Sequence, residues 1–404
     1  MRSAAGPPGR RTRFGVNYIP ARHWLHSWTE WEPAAIDEDL AAIAALGFDH
    51  VRLHLLWPLF QPDPGYVSAT MLSRLRAVLD TCATHGMQAQ VTVLNGWMSG
   101  FLFRPAWMST QRSFFNDPEV TAAELQYLRA VAQELAGHPA ALGIDIGNEL
   151  SVLADHEAVR PVPGSADGWA RTLLRACADD MPDGLHCNGV DHQPWLTGAA
   201  PFTRDALASD GSVTVVHAWP FFTGAFDRYG HADGRALHIG EYLVELAGAY
   251  ADAPGREVWA QEIGLSTQWI PEPDIAGAAA QFLRATASAG RLWGVTWWCS
   301  HDIDPMFTGF APLEYDLGLL TTRNTVKPMG EQVAEVIREI AEAAPPARRI
   351  AMVLPDRAGG LDAMDGFLQL KARGVDPAIV LASRAGDRNH LLGRGIETVV
   401  PLSP

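Results

Sequence analysis

Residues 142–150 read LGIDIGNEL. The run begins as an apolar strand and ends on an amide and a carboxylate side by side, Asn148 and Glu149. Asn and Glu are poor strand formers. A buried carboxylate is costly unless something pairs with it. The pair is therefore either a cap on the next helix or half of a reactive site. The neighbouring runs decide which.

Outward from this stretch the chain repeats one pattern, in which short apolar runs alternate with longer helical ones. FGVNYI (14–19) precedes IDEDLAAIAALG (36–47), and HVRLHLLW (50–57) precedes TMLSRLRAVLDTCATHG (70–86). MQAQVTVLNGW (87–97) precedes a helix with Asp117 as its cap and Pro118 at its first position. After LGIDIGNEL come the helix GWARTLLRACADDM (168–181) and the strand GLHCNGV (184–190). SVTVVHAWPFF (212–222), EVWAQEIG (257–264) and RLWGVTWWCS (291–300) follow, each with a helix behind it. The runs are nearly continuous in apolar character, as parallel strands buried on both faces are. Eight units between residues 13 and 345 fit an α/β fold, a (β/α)8 TIM barrel with enlarged loops. An open doubly wound sheet is the alternative, but no Gly-rich phosphate fingerprint follows the first strand.

Past the linker EAAPPARR (342–349) the texture changes. Residues 346–404 read as a small separate βαβ unit, with RIAMVLP, LDAMDGFLQLKARG, AIVLA and IETVVP. It carries no catalytic motif. Packing or homo-oligomerisation is its expected role.

Composition bounds the partners. The chain has 404 residues, and 31 Lys+Arg against 46 Asp+Glu give a net charge of −15. Such a surface repels phosphate backbones and anionic membranes, so neither nucleic acid nor membrane is an expected partner. The start, MRSAAGPPGRRTRF, lacks the apolar stretch of a secretory signal. No run is apolar enough for a transmembrane helix. Four scattered cysteines, Cys82, Cys177, Cys187 and Cys299, read as buried thiols in a reducing cytoplasm. The 14 Trp residues are many, and several fall in loops, where flat apolar rings make platforms for ligands.

In a TIM barrel the reactive residues stand at the C-terminal ends of the strands. Those ends offer Arg52 on the second run, Asn95 and Trp97 on the third, and Asn148 and Glu149 on the fourth. His217 and Trp219 end the sixth, Glu262 the seventh, and Trp297 and Trp298 the eighth, with His301, Asp302 and Asp304 beyond. Glu149 and Glu262 would face each other across the barrel mouth. Glycoside hydrolysis needs such a pair, one acid to protonate the departing oxygen and one carboxylate to attack the sugar carbon. Arg52 would keep one of them ionised, and an Arg inside an apolar strand requires an acidic partner. Glu241, in HIGEYLVEL, is a rival nucleophile. However, Tyr242, Leu243, Leu246, Ala249 and Tyr250 recur at helical spacing, which favours Glu262. Asp302 would touch sugar hydroxyls or cap the following segment. The histidines show no metal-binding spacing, so neither a metal nor a cofactor is expected.

The set of Arg52, Asn148-Glu149, His217, Glu262 and Trp298, in this order, resembles glycoside hydrolase clan A, and family 5 in particular. The likeness spans residues 13–340. It implies Glu149 as general acid/base and Glu262 as nucleophile of a retaining enzyme. It further implies that Asn148 holds the sugar 2-hydroxyl, Arg52 holds the nucleophile, His217 stands beside the glutamates and Trp298 floors the first subsite. Two positions depart from the family pattern. Asn95 stands where many members have His, and Trp219 where many have Tyr, so the usual Tyr–nucleophile hydrogen bond is absent or comes from elsewhere. FGVNYIPARHWLHSW (14–28) and TWWCSHD (296–302) are similar to a bacterial family 5 branch with β-mannosidase activity, including activity on Man-β-1,4-GlcNAc. The expected partner is thus a short oligosaccharide. An endo-acting mannanase or glucanase, and a catalytically silent sugar-binding barrel, are the other readings.

Overall fold

Asp117 accepts hydrogen bonds from the N–H groups of Glu119 and Val120, and Pro118 opens the helix Pro118–Leu135 where its own missing N–H costs nothing. Ser68 caps the helix Ala69–Thr84 in the same way, through the N–H of Met71. Local signals of this kind set the outer ring of helices. The computed structural model describes residues 11–199, 201–340, 343 and 346–402. The expected domain boundary at residue 345 lies outside the described residues, as do residues 1–10.

Seven parallel strands form the curled sheet: β1 (Arg13–Asn17), β2 (His50–His54), β3 (Gln88–Leu94), β4 (Ala141–Gly147), β5 (Thr214–Ala218), β6 (Val258–Ile263) and β7 (Leu292–Trp297). Their order is β4-β3-β2-β1-β7-β6-β5, with the first strand beside the last. Between β4 and β5 the expected strand GLHCNGV is reduced to a bridge, Asp145 with Cys187. It still closes the ring. Leu185 N donates to Leu142 O at 2.8 Å, Cys187 N to Ile144 O at 3.0 Å, and Ser212 N to His186 O at 2.7 Å. The fold is a (β/α)8 barrel whose fifth stave is one short segment. Gly189 ends it because a Cβ there would lie 2.4 Å from Gly147 O and 2.6 Å from Asp145 Oδ2.

The barrel interior is layered. At the bottom, Trp259 and Trp293 pack against Val213 and Val215. Above them, Thr296 Oγ1 accepts from Trp259 Nε1 at 2.8 Å and lies 2.9 Å from His50 Nε2. The top layer is charged and opens to the barrel mouth.

Beyond the barrel, β8 (Ile350–Leu354), β9 (Ala378–Leu381) and β10 (Thr398–Pro401) make a second parallel sheet in the order β9-β8-β10. It seats against the buried helix Ile239–Ala249. Glu241 is spent in that seam. It pairs with Arg348 at 2.5 Å and Lys371 at 2.7 Å, and its carboxyl is held down to about 2. Arg348 also reaches Glu245 at 3.1 Å. Glu241 is therefore a structural acid far down the outer wall. All four cysteines are free and buried. Among the described residues no helix is long and apolar enough to cross a membrane.

Candidate active site

Glu149 sits in left-handed backbone, φ 45° and ψ 49°, at the start of the short helix Leu150–Ala154. A non-glycine residue there is strained by about 1–2 kcal/mol. Its side chain makes no capping hydrogen bond. The strained turn lifts the carboxyl off the helix and into the barrel mouth, which rules out the capping alternative.

Across the mouth, Glu262 ends β6. His217, at the end of β5, touches both acids. Its Nδ1 lies 3.1 Å from Glu149 Oε1 and 3.4 Å from Glu262 Oε2. Its Nε2 lies 3.1 Å from Gln261 Oε1. Burial lowers the His217 pKa, so the ring is neutral. With Nε2 donating to Gln261, Nδ1 presents a lone pair that accepts a hydrogen bond from the protonated Glu149 carboxyl.

Arg52 stands under this pair, wholly buried. Nη1 donates to Glu262 Oε1 at 2.6 Å, and Nη2 donates to Asp145 Oδ2 at 2.7 Å and to Asn148 Oδ1 at 2.8 Å. Asp145 also accepts from Thr92 Oγ1 and from the N–H of Gly189. A guanidinium that serves two carboxylates and one amide fixes all three in place. The Asn148 amide is oriented by it and donates from Nδ2 to Trp97 O at 2.8 Å, leaving one N–H toward the cavity. Asn17 Oδ1 accepts from Arg52 Nη1 as well.

The two glutamates are made different by what touches them. Burial pushes Glu149 up to about 7, and the charge of Asp191 adds to the push. Burial also raises Glu262, and the charge of Glu149 adds to that, but the Arg52 guanidinium in contact with it opposes the rise. Contact with a cation favours the ionised form, so Glu262 is the carboxylate and Glu149 the acid. Glu149, His217 and Glu262 each place a ligand atom within 4.8 Å of the others, close enough to hold a cation. Arg52 already supplies the positive charge there.

The two glutamates open on a cavity of about 420 Å³. Trp97, Asn148, Glu149, Trp219, Glu262 and Trp298 all face it, and Trp297 is core. Trp219 Nε1 donates to Glu262 Oε2 at 3.4 Å, so the indole occupies the place of the expected Tyr hydrogen bond. Gly264 permits this, since a Cβ there would lie 2.7 Å from the Trp219 ring. The peptide between Trp298 and Cys299 is cis.

Arg52 and His217 lie beneath the cavity and reach it only through the glutamates they hold, and two other expected contacts lie elsewhere. Asn95 is buried behind the cavity wall, with Nδ2 on Met98 Sδ at 3.5 Å. Asp302 holds the loop after β7 through Lys327 Nζ at 2.7 Å and Gly318 N at 3.0 Å. In each case the side chain is used by its own loop and does not line the cavity.

Sequence reading missed Asp145, the buried partner that Arg52 required. The signal was present, as an Asp inside the apolar run LGIDIG. It also missed Asp191, His192 and Gln193 after the fifth stave, and Ser99 and Glu314, which all line the cavity. These lie on loops without a motif.

Comparison with known proteins gives the family. Residues 12–177 match the model for cellulase (glycosyl hydrolase family 5). A GH5_18 structure from Streptomyces cattleya in complex with GlcNAc is 39% identical, with a TM-score of 0.93, and the alignment covers 97% of this chain and 99% of that one. A Glu-to-Ala variant of GH5_18 from the same organism, in complex with Manβ1-4GlcNAc, is 38% identical, with a TM-score of 0.92 and coverage of 96% and 98%. The exo-β-1,4-mannosidase Op5Man5 from Opitutaceae bacterium strain TAV5 is 27% identical, with a TM-score of 0.81 and coverage of 99% and 74%. No match was found among curated protein sequences.

Proposed function

Because the chain belongs to glycoside hydrolase family 5, in its GH5_18 branch, and is thus a glycoside hydrolase, we propose that it is a retaining, exo-acting β-mannosidase. Its substrates are short oligosaccharides such as Man-β-1,4-GlcNAc. The sugar class comes from the relatives, two of which were crystallised with GlcNAc or Manβ1-4GlcNAc. Exo action is supported by Op5Man5 and by the walled flank of the cavity described below.

One observation carries the mechanism. Glu149 and Glu262 meet on one His217 nitrogen, with ligand atoms within 4.8 Å of each other. Retaining enzymes hold their carboxyls about 5–5.5 Å apart, and inverting ones hold them farther apart to admit a water. In the first step Glu149 gives its proton to the departing glycosidic oxygen, and Glu262 attacks the anomeric carbon to form a glycosyl ester. In the second step water replaces the leaving group, Glu149 takes its proton, and the ester opens. Arg52 and Trp219 hold the Glu262 oxygens in line. The free Asn148 N–H is placed for the 2-hydroxyl, and Trp298 gives the sugar an apolar floor. No step requires a metal or cofactor.

The test is turnover of Man-β-1,4-GlcNAc followed by NMR. The product formed first is expected to be β-mannose. Glu149→Ala and Glu262→Ala are each expected to lose at least about a thousandfold in kcat. First-formed α-mannose, or wild-type rates in either variant, would end this reading.

A further inference from the structure

Glu314 is a third acid in the cavity wall, and the two-glutamate mechanism does not use it. It lies on the turn Pro312–Tyr315 in the loop after β7. Burial pushes its carboxyl up to about 7, and the fields of Glu262 and Glu149 add to that. No ion pair reaches it among the described residues. The Ser99 hydroxyl is the one neighbour that pulls its pKa down. A half-buried carboxyl without a cation is costly to ionise, and where it faces a ligand cavity it points to the ligand.

Ser99 is itself anomalous. It is a non-glycine residue at φ 50°, in the tight turn joining the ladder Trp97–Met98 to Phe101–Leu102. Its hydroxyl oxygen is buried and has no hydrogen-bond partner that meets ordinary geometry. The turn spends backbone strain to put a hydroxyl in the cavity wall.

Both residues sit on one flank. Behind them, loops from three staves interlock through rings. Trp24 meets Phe310 at 4.9 Å and Phe101 at 5.9 Å, and Phe101 meets Phe310 at 4.8 Å. Tyr315 closes the cluster against Phe310 and donates to Phe307 O at 2.7 Å. This wall stands behind Ser99 and Glu314. The other flank is formed by Asp191, His192 and Gln193, and the first two act electrostatically on Glu149. The acid stands on the leaving-group side. The departing sugar therefore lies toward His192, and the sugar that is cut lies against the wall.

We propose that Glu314 and Ser99 form a hydroxyl-reading pair at the walled end of the cavity, specific for the non-reducing terminal sugar. The assignment rests on the β-mannosidase reading above. A terminal sugar carries a free hydroxyl at the position where an internal sugar carries the next residue. Glu314 accepts that hydroxyl's proton in a hydrogen bond, and Ser99 is placed to share it. An internal sugar has no hydrogen to donate there and meets the aromatic wall instead.

The experiment compares aryl β-mannosides lacking the 3-, 4- or 6-hydroxyl, measured on wild type, Glu314→Gln, Glu314→Ala and Ser99→Ala. In the wild type, removing one of these hydroxyls is expected to lower kcat/KM by about tenfold or more. In Glu314→Ala the same removal is expected to cost less than about twofold, because the group that read it is gone. Glu314→Gln keeps the shape and one acceptor, so it carries the comparison if the Ala variant folds poorly. It is expected to retain an intermediate penalty, as is Ser99→Ala. An active wild type whose three penalties are unchanged in every variant would overturn the assignment and leave the function standing. A wild type that hydrolyses no β-mannoside would overturn the function, and this assignment with it.

Discussion

Arg52 Nη1 donates to Glu262 Oε1 at 2.6 Å, with both side chains buried at the floor of the cavity. A buried charge pair adds little net stability, but removing one partner strands the other at a cost of about 3–5 kcal/mol. Here one guanidinium serves two carboxylates, since Asp145 lies on its other edge. The pair thus ties the barrel core to the reaction.

Arg52→Met is expected to lose about 3–5 kcal/mol in denaturant unfolding, because Asp145 and Glu262 are left facing each other uncompensated. Arg52→Met/Asp145→Asn is expected to recover part of that loss, with activity still gone. Equal unfolding midpoints for wild type and the single variant would refute the argument.

The pH dependence of kcat/KM follows from the two glutamates. Glu149 works protonated and is pushed up to about 7, so activity should fall above that pH. The acid limb reports Glu262, which must be ionised. Asp191 raises the Glu149 pKa by its charge, so Asp191→Asn should move the alkaline limb to lower pH. Asp191 accepts from Ser151 Oγ at 2.5 Å and from Gln193 N, and Asn retains an acceptor for these contacts. A limb that stays put, or moves up, would show that Asp191 is not the cause.

Stability should peak at a lower pH than activity. Glu124 is pushed up to about 8 by burial, with Trp169 Nε1 donating to it at 2.7 Å. Glu149 and Glu314 are raised to about 7. These acids bind protons more tightly folded than unfolded, so their contribution is complete below about pH 4.5 and is lost as pH rises toward 8. Glu241, held down to about 2, contributes above about pH 4.5 and is lost below it. Melting temperature is expected to peak near pH 5 and fall by pH 8. Glu124→Gln should flatten that fall, and a melting temperature that climbs from pH 5 to 8 would contradict it.

Trp219 supplies the second hydrogen bond to Glu262, at 3.4 Å. Trp219→Phe keeps most of the ring and loses the donor. A bond of this length is worth about 0.5–1.5 kcal/mol, so a loss of roughly two- to tenfold in kcat is expected. Trp219→Tyr should restore part of it if the phenol reaches the carboxylate. A kcat unaffected by Trp219→Phe would mean that the indole is only packing.

The sequence by itself determined the periodicity and most of the catalytic frame. Apolar runs with helices between them bury both faces in a parallel sheet, and eight such units fit a barrel, which puts Asn148, Glu149, His217 and Glu262 at one mouth. It also made Arg52 ask for an acid. Only the tertiary structure named that acid as Asp145, because the answer lies two strands away and depends on register. Tertiary packing alone reduced the fifth stave to a bridge, put Glu241 in the seam with Arg348, and turned Asp302 and Asn95 away from the cavity. It also brought Ser99 and Glu314 to one wall. Loop side chains follow no period, and their neighbours are set by how three loops pack around Trp24 and Phe310. Strand ends are legible in a sequence because a repeat positions them. Loops become legible only when their partners are in place.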